Sequence, residues 1–303
     1  RETGDIGVIE KEAVVKAEKL SRDYWEELRK SKKGMTGAIL VTLVVLMAIF
    51  APWLAPHNIT SQSVEGRFMP PVFVPGGTPK YILGADNLGR DTLSRTLFGT
   101  RISIGIAFSV IFISVPVGAL LGAIAGYFGG LVDNIIMRIG DFQLSFPFIL
   151  LALVFMAVLG PGFWSMMVAL TVALWVNYAR LVRGEALKIR ELEYVQAAKS
   201  IGVSDTKIIL GHVLPNALPS VIVLGTLDIA WVIIYEAALS FLGLGIQPPT
   251  PSWGVMLNEA RTYLYESPWM TLFPGLALFV TCIGVNLFGD WLRDTFDPKL
   301  LRL

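Results

Sequence analysis

Six long apolar runs dominate the sequence and restrict the folds that it can adopt. They cover residues 35–55, 101–127, 139–160, 165–187, 217–242 and 270–292, each within a few residues. A helix needs about 20 predominantly apolar residues to cross a bilayer, and each run is long enough. Buried helices of a soluble protein would carry charged stripes, whereas GAILVTLVVLMAIFAPWLA carries none. The runs therefore predict an all-α integral membrane protein with six transmembrane helices.

The composition agrees with a membrane protein and excludes several functions. Hydrophobic residues make up 54% of the chain and charged residues only 16%, against about 25% charged in ordinary soluble domains. A net charge of +1 gives no reason to expect a nucleic acid. Cys282, His57 and His212 are isolated, so we expect no disulfide and no metal site. The sequence shows no Ser/His/Asp or Cys/His set, and we predict no catalytic residues.

The Lys and Arg residues fall unequally on the two sides of a six-span topology. One side holds nineteen of them: nine before the first span, one in 128–138, six within 180–207 and three in the C-terminal tail. The other side holds six. Because Lys and Arg in short connections stay in the cytoplasm, this count predicts cytoplasmic termini and a cytoplasmic loop at 193–216.

The chain divides into three segments on this basis. Residues 1–34 form a cytoplasmic segment, in which 8–30 has the pattern of an amphipathic helix lying on the membrane surface; a partly disordered charged tail is the alternative. Residues 35–100 hold the first span and an extracytoplasmic loop that is rich in Pro and Gly at 52–80. Residues 101–303 form the core transmembrane domain.

The connection EYVQAAKSIGVSDTKIILGHVLPN (193–216) is longer than a link between two spans requires. Residues 191–201 can form a short helix, and Gly202 permits the left-handed turn that would end it. Ser204 or Asp205 then offers an N-cap for a second short helix.

This second helix is predicted over about 205–212, and Pro215 is predicted to stop it and to begin the next span. The small residues Ala197 and Ala198 would let another surface approach closely. A simple connection needs no such feature, so the loop is predicted to be a docking element.

At this loop the sequence resembles the cytoplasmic motif of ABC-importer permeases: Glu-Ala-Ala, three residues, Gly, nine residues, Ile, any residue, Leu-Pro. The residues that keep its spacing are Ala197, Ala198, Gly202, Leu214 and Pro215. Gln196 replaces the leading Glu and His212 replaces the Ile. Glu193 lies nearby and is expected to take over some of the polar role.

Four other segments resemble the same family. LGADNLGRDTLSRTLFGTRISI (83–104) is similar to the segment before the second span of the dipeptide, oligopeptide and nickel branch. Residues 240–261 look like the loop between its last two spans, 273–300 like its last span and tail, and 25–41 like its first-span entry. From about residue 20 onward the chain resembles the second, C-type permease subunit.

The resemblance implies the binding-protein-dependent permease fold and a function. The chain would be a multi-pass inner-membrane subunit forming half of the pore of an ATP-driven importer for peptides or a related solute. Its implied partners are a homologous second permease, two cytoplasmic ATPases that dock on 191–215, and an extracytoplasmic solute-binding protein. Oligosaccharides and nickel chelates remain alternative solutes.

The sequence itself contains no GxxxxGK[ST] phosphate-binding loop. We therefore expect this chain to bind no cofactor and to have no enzymatic activity. ATP and Mg are expected on the partner ATPases.

Polar residues in the fifth apolar run are candidates for a translocation pathway. Asp228 and Glu236 are separated by about 80° on a helix, and Trp231 and Tyr235 lie near the same face. We favour a structural hydrogen-bonding role for Glu236. Asp228 either lines the pathway and favours a cationic group, or is a buried partner of the second permease. An intramembrane enzyme using both acids is a remote alternative, and a stand-alone channel or secondary transporter is another.

Further charged residues predict local contacts. Arg138 and Asp141 are three residues apart and can pair on one helix face. Arg90, Asp91 and Arg95 have the pattern of an amphipathic interfacial helix on the outer side, with a binding-protein contact as the alternative.

The glycine-rich run SVPVGALLGAIAGYFGG (114–130) would allow close helix approach. This serves either relative motion of the spans or simple packing, and the sequence does not distinguish the two.

Overall fold

The computed structural model describes residues 24–296. Within the proposed amphipathic segment, residues 24–30 are helical; the rest of that prediction, like the charges of the C-terminal tail beyond 296, lies outside the described residues.

All regular elements of the described chain are helices. In chain order they are α1 (Lys32–Leu54), α2 (Thr92–Phe128), α3 (Gly130–Leu144), α4 (Phe148–Leu159), α5 (Phe163–Ile189), α6 (Glu193–Ser200), α7 (Asp205–Ile208), a π-helical turn (Ile209–Val213), α8 (Leu214–Phe241), α9 (Trp253–Ala260), a 3-10 turn (Arg261–Tyr263) and α10 (Trp269–Phe296).

Five elements are long and apolar enough to cross a membrane: α1, α2, α5, α10, and α8 together with the turns before it. The apolar run predicted at 139–160 is not one helix. It is divided between α3 and α4, which are bent by 91° relative to each other. Pro147 directly precedes α4; its ring and missing N–H favour a break in the helix at this point. The bent pair is therefore either a broken sixth span or a re-entrant loop.

Helix α2 begins nine residues earlier than its apolar run. The side chain of Asp91 caps it by accepting a hydrogen bond from the Ser94 N–H at 2.9 Å. With 37 residues, the helix is roughly 55 Å long at 1.5 Å per residue. This exceeds the hydrocarbon core of about 30 Å, so the start of α2 lies outside it.

The glycine-rich run packs α2 directly on α5. A Cβ added at Gly118 would lie 2.4 Å from the Trp175 carbonyl oxygen, and one at Gly122 would lie 2.2 Å from that of Ala179. Gly126 continues the same stripe one turn later. The two parallel helices are therefore in backbone contact, as in other small-residue helix pairs.

The elements alternate in direction and leave two distinct ends. At one end, the ring of Tyr24 contacts that of Phe296, with centroids 5.8 Å apart. The loop after α5 lies at this end, which we call the coupling end. The opposite end is formed by residues 55–91 and 242–268, which we call the cap.

Candidate coupling loop and translocation surface

Helix α6 ends in a hydrogen-bonded left-handed turn. Gly202 has a φ of +84°, and its N–H donates to the Lys199 carbonyl at 3.0 Å. The Val203 N–H donates to the Ala198 carbonyl at 3.1 Å. This pair of bonds is a Schellman motif, and the predicted turn at Gly202 is confirmed.

The prediction that Pro215 separates the second short helix from the next span is wrong. Helix α7 passes through the π-helical turn Ile209–Val213 into α8 without a break. A proline in a regular α-helix clashes with the carbonyl four residues earlier, here that of Gly211. The π turn lies at this position, and its altered hydrogen bonding lets the helix continue past Pro215. Ser204 precedes α7 without a side-chain capping bond.

One face of α6 is open. Val195 is buried against the bundle, whereas Glu193, Gln196 and Ala197 are exposed. Just past the helix, Ile201 is 81% exposed. Ala197 and Ile201 therefore leave one small and one large apolar side chain accessible at this end of the loop.

Both departures from the family motif make local contacts. The Gln196 amide donates to the Arg190 carbonyl at 2.6 Å, a bond that a Glu carboxylate cannot make. The His212 ring packs on that of Tyr194, with centroids 5.6 Å apart. The His212 carbonyl accepts from the Asn216 side chain at 2.6 Å. The Gln196 bond joins α6 to the end of α5, and the His212 ring joins α6 to the turn before α8.

The coupling loop is also joined to the end of α2. The Tyr127 hydroxyl donates to Oδ1 of Asp205 at 2.6 Å, and the Lys199 ammonium lies 5.9 Å from the centre of the Tyr127 ring. Arg190 donates to the Gly126 carbonyl at 3.0 Å. Sequence reasoning missed these partners, because they are far apart in the chain and follow no local pattern.

Two ion pairs connect α3 to α5. Arg183 donates to both oxygens of Asp133, at 2.5 and 2.6 Å, in the bidentate geometry that favours Arg. Arg180 pairs with Asp141 at 2.6 Å. The prediction that Asp141 pairs with Arg138 is therefore wrong, since α5 presents a closer cation.

Three aromatic rings form a ladder beside α8. Trp231 is 53% exposed and stacks on Tyr235, with ring centroids 5.8 Å apart. Tyr235 also stacks on Phe148, at 3.7 Å. Phe148 is the first residue of α4, so the ladder joins the bent span to α8. Sequence reasoning missed Phe148, which has no distinguishing neighbours in its apolar run.

The two carboxylates of α8 lie in different surroundings. Glu236 is fully buried and accepts hydrogen bonds from Ser103 of α2 at 2.7 Å and from Ser240 at 2.8 Å. Asp228 is buried near the Tyr178 hydroxyl. Beyond this mutual contact, neither its Oδ2 nor that hydroxyl makes a hydrogen bond within residues 24–296. Glu236 is placed as a structural acid that two serine hydroxyls bind. Asp228 differs, because within the described chain only the Tyr178 hydroxyl lies beside its carboxylate.

The residues expected to form an outer interfacial helix are buried instead. Arg90 donates to Oδ2 of Asp86 at 2.6 Å and to Oε2 of Glu259 at 2.9 Å. Arg95 pairs with the same two carboxylates. Guanidinium groups can be buried when carboxylates neutralise them, which explains why an amphipathic surface helix was the wrong prediction. Asp91 serves as the N-cap of α2.

The helices long enough to span a membrane and the exposed loop after α5 fit a membrane permease, and comparison with known proteins identifies the family. Residues 118–302 match the model of the binding-protein-dependent transport system inner membrane component. Residues 19–71 match the N-terminal TM domain of oligopeptide transport permease C.

Curated relatives cover nearly the whole chain. The glutathione transport system permease protein GsiD of Escherichia coli O6:K15:H31 is 43% identical over 92% of this chain and 90% of its own. GsiD of Shigella sonnei gives the same values. The MetNI methionine ABC transporter, solved in inward-facing conformations, has 20% identity and a TM-score of 0.51, covering 68% of this chain and 95% of that chain; this supports the fold.

The chain belongs to the binding-protein-dependent inner-membrane permease family, in its peptide and nickel branch. It is a permease subunit of an ABC importer.

Proposed function

We propose that this permease imports a short peptide and that glutathione, a tripeptide, is the first solute to test. The proposal is supported by the 43% identity to permeases named for glutathione transport. The pore would require a second, homologous permease. Two ATPases that bind ATP and Mg and an extracytoplasmic binding protein would complete the importer, and this chain would bind no cofactor itself.

The observation that carries the coupling role is the open face of α6. Ala197 on this face and Ile201 just past it are exposed, whereas the base of the loop is joined to α2 and α8. An ATPase docking there would push on a rigidly mounted element. Since α7 and α8 are continuous, a tilt of the loop would reach Asp228, roughly 21 Å along α8 from Leu214 at 1.5 Å per residue.

We propose a membrane orientation from the same arrangement. The coupling end carries the excess of Lys and Arg, which favours the cytoplasm. The cap would then face the binding protein outside, and both termini would be cytoplasmic.

The exposed face of α8 is the proposed pathway. Trp231 and Tyr235 line it, and Asp228 lies at its edge, about 20° from Tyr235 on the helix. A buried carboxylate that faces only a tyrosine hydroxyl and lies beside aromatic rings favours an ammonium group. Peptides carry such a group at their N-terminus. An alternative is that Asp228 pairs with the second permease.

The test is ATP-driven uptake by the purified four-subunit complex in proteoliposomes supplied with its binding protein, with glutathione and its N-acetylated form as solutes. Uptake of glutathione by the wild type would support the proposal, and its absence would contradict the choice of solute.

Asp228→Asn should lower glutathione uptake severalfold more than uptake of the acetylated form. The control is Asp290→Asn, which removes an exposed carboxylate. Equal effects on both solutes would contradict the pathway role.

A further inference from the structure

Helix α9 in the cap is fixed at its start to two membrane helices. Trp253 is fully buried, and its indole N–H donates to the Thr96 carbonyl of α2 at 3.3 Å. Gly254 lies against α8, where an added Cβ would come within 2.5 Å of the Ala237 carbonyl oxygen. The first turn of α9 therefore contacts both α2 and α8.

Helix α9 is fixed at its other end by a buried ion cluster. Oε2 of Glu259 lies 2.9 Å from Nη2 of Arg90 and 2.8 Å from Nη1 of Arg95. Both guanidinium groups also pair with Asp86, which precedes α2. Oδ1 of Asp86 accepts from the backbone N–H groups of Leu88 and Arg90, both at 2.9 Å. The cluster thus joins α9 to the start of α2 across 169 residues of sequence.

The four charges of the cluster sum to zero, and Arg95 is only 1% exposed. Buried ion pairs add little net stability compared with apolar residues of similar volume. They do fix geometry, because each charged group is costly in any position where its partner is absent. The cluster is therefore better suited to setting the position of α9 than to stabilising the fold.

A separate polar network joins the connection before α9 to the proposed pathway. The Ser240 hydroxyl accepts from the Ile246 N–H at 3.2 Å in the connection to α9, and it donates to Glu236. Glu236 directly follows Tyr235 of the aromatic ladder. A displacement of α9 would therefore reach the outer part of α8.

We propose that Arg90, Arg95 and Glu259 are positioning residues that lock α9 to the start of α2, so that the cap transmits docking of the loaded binding protein to α8. This inference rests on the proposed function, since it requires a binding protein that docks on the cap. It assigns a coupling role to the outer end of the permease, separate from that of α6.

Two double variants, each losing one cation and one anion, distinguish loss of the ionic contact between α9 and α2 from loss of charge as such. Arg90→Gln with Glu259→Gln leaves the Arg95–Asp86 pair and removes every ion pair to α9. Arg90→Gln with Asp86→Asn leaves the Arg95–Glu259 pair, so α9 stays linked to α2. The second variant also keeps the oxygen that accepts the backbone bonds from Leu88 and Arg90. Each variant loses one cation and one anion.

The measurement is the ATPase rate of the complex in lipid nanodiscs, with and without its binding protein loaded with glutathione. The unlinked variant should keep the basal rate and lose stimulation by about fivefold or more, equivalent to a coupling free energy of about 1 kcal/mol. The linked variant should keep stimulation. Equal stimulation in both, or equal loss in both, would overturn the proposal.

Glu259→Asp provides a second test if the unlinked variant does not assemble. It keeps the charge but shortens the side chain, so the complex should assemble with reduced stimulation; wild-type stimulation would count against the proposal. A wild-type complex that hydrolyses ATP without any response to the loaded binding protein would overturn the proposed function itself, and this inference with it.

Discussion

The two ends of the molecule place their charged and polar groups differently. At the cap end, Arg90 and Arg95 are buried, and carboxylates of the same chain balance their charges. At the coupling end, Glu193 and Gln196 are exposed beside Ile201, and hydrogen bonds join the base of the loop to the bundle. The cap end therefore buries its ionic contacts within this chain, whereas α6 leaves its polar face accessible to a partner.

The largest loss of stability should come from removing the Glu259 carboxylate from the buried ion cluster. Glu259→Gln leaves two buried guanidinium groups with a single carboxylate, and removing one partner of a buried pair costs about 3–5 kcal/mol. The apparent melting temperature of the purified protein should fall clearly. The control at the coupling end, Glu191→Gln, removes an exposed carboxylate and should change stability by less than about 0.5 kcal/mol. Equal falls in melting temperature for the two variants would contradict the proposed difference between the cap end and the coupling end.

A second variant tests the α2–α5 contact that connects the two ends. Gly122→Ala would place a Cβ 2.2 Å from the Ala179 carbonyl oxygen, so the helices must separate. Overpacking of this kind costs about 1–3 kcal/mol. Gly105→Ala lies on the same helix with no atom within 4 Å and should be neutral. The readout is the yield of correctly folded protein, and equal yields would argue against backbone contact.

At the coupling end, Gly202→Ala should cost about 1–2 kcal/mol locally, because its φ of +84° is unfavourable for an L-residue. Gly202→Pro should distort the turn more strongly. We expect both variants to insert into the membrane and to lose substrate-stimulated ATP turnover in the complex, the second more completely.

The matched control is Gly211→Ala, which also has open space but no positive φ. Normal stimulated turnover in Gly202→Pro would contradict the docking role of the loop.

The smallest effect is expected from Tyr127→Phe. It removes the hydrogen bond to Asp205 but keeps the ring beneath Lys199, at a cost of about 1 kcal/mol. Coupling should weaken modestly, and the melting temperature should hardly change. Asp205→Ala, which removes the acceptor, should behave similarly, and the double variant should add little. Fully additive losses would indicate that the two residues act separately.

The sequence predicts the parts of this molecule that depend on local pattern. Apolar length locates the spans, and Gly202 locates the turn after α6. Local pattern does not reveal the 91° bend at Pro147 or the π turn that carries the helix past Pro215, because both depend on how a proline is accommodated in packed helices.

Pairings across the chain are also hidden from local pattern. Arg90 and Glu259 are 169 residues apart, and Tyr127 and Asp205 are 78 apart. The amphipathic spacing of Arg90 and Arg95 favoured a surface helix, since nothing near them in sequence shows that Glu259 neutralises them. The surroundings of Asp228 are hidden in the same way, because its polar neighbour Tyr178 comes from α5.

The central claim is that α6 is the surface on which an ATPase docks, and photo-cross-linking in intact cells tests it most directly. A cross-linking amino acid at Ala197 should yield an adduct with the ATPase subunit. The same probe at Val64, which is 87% exposed in the cap, should yield none. Absence of an ATPase adduct at Ala197, or an equal adduct at Val64, would contradict the account.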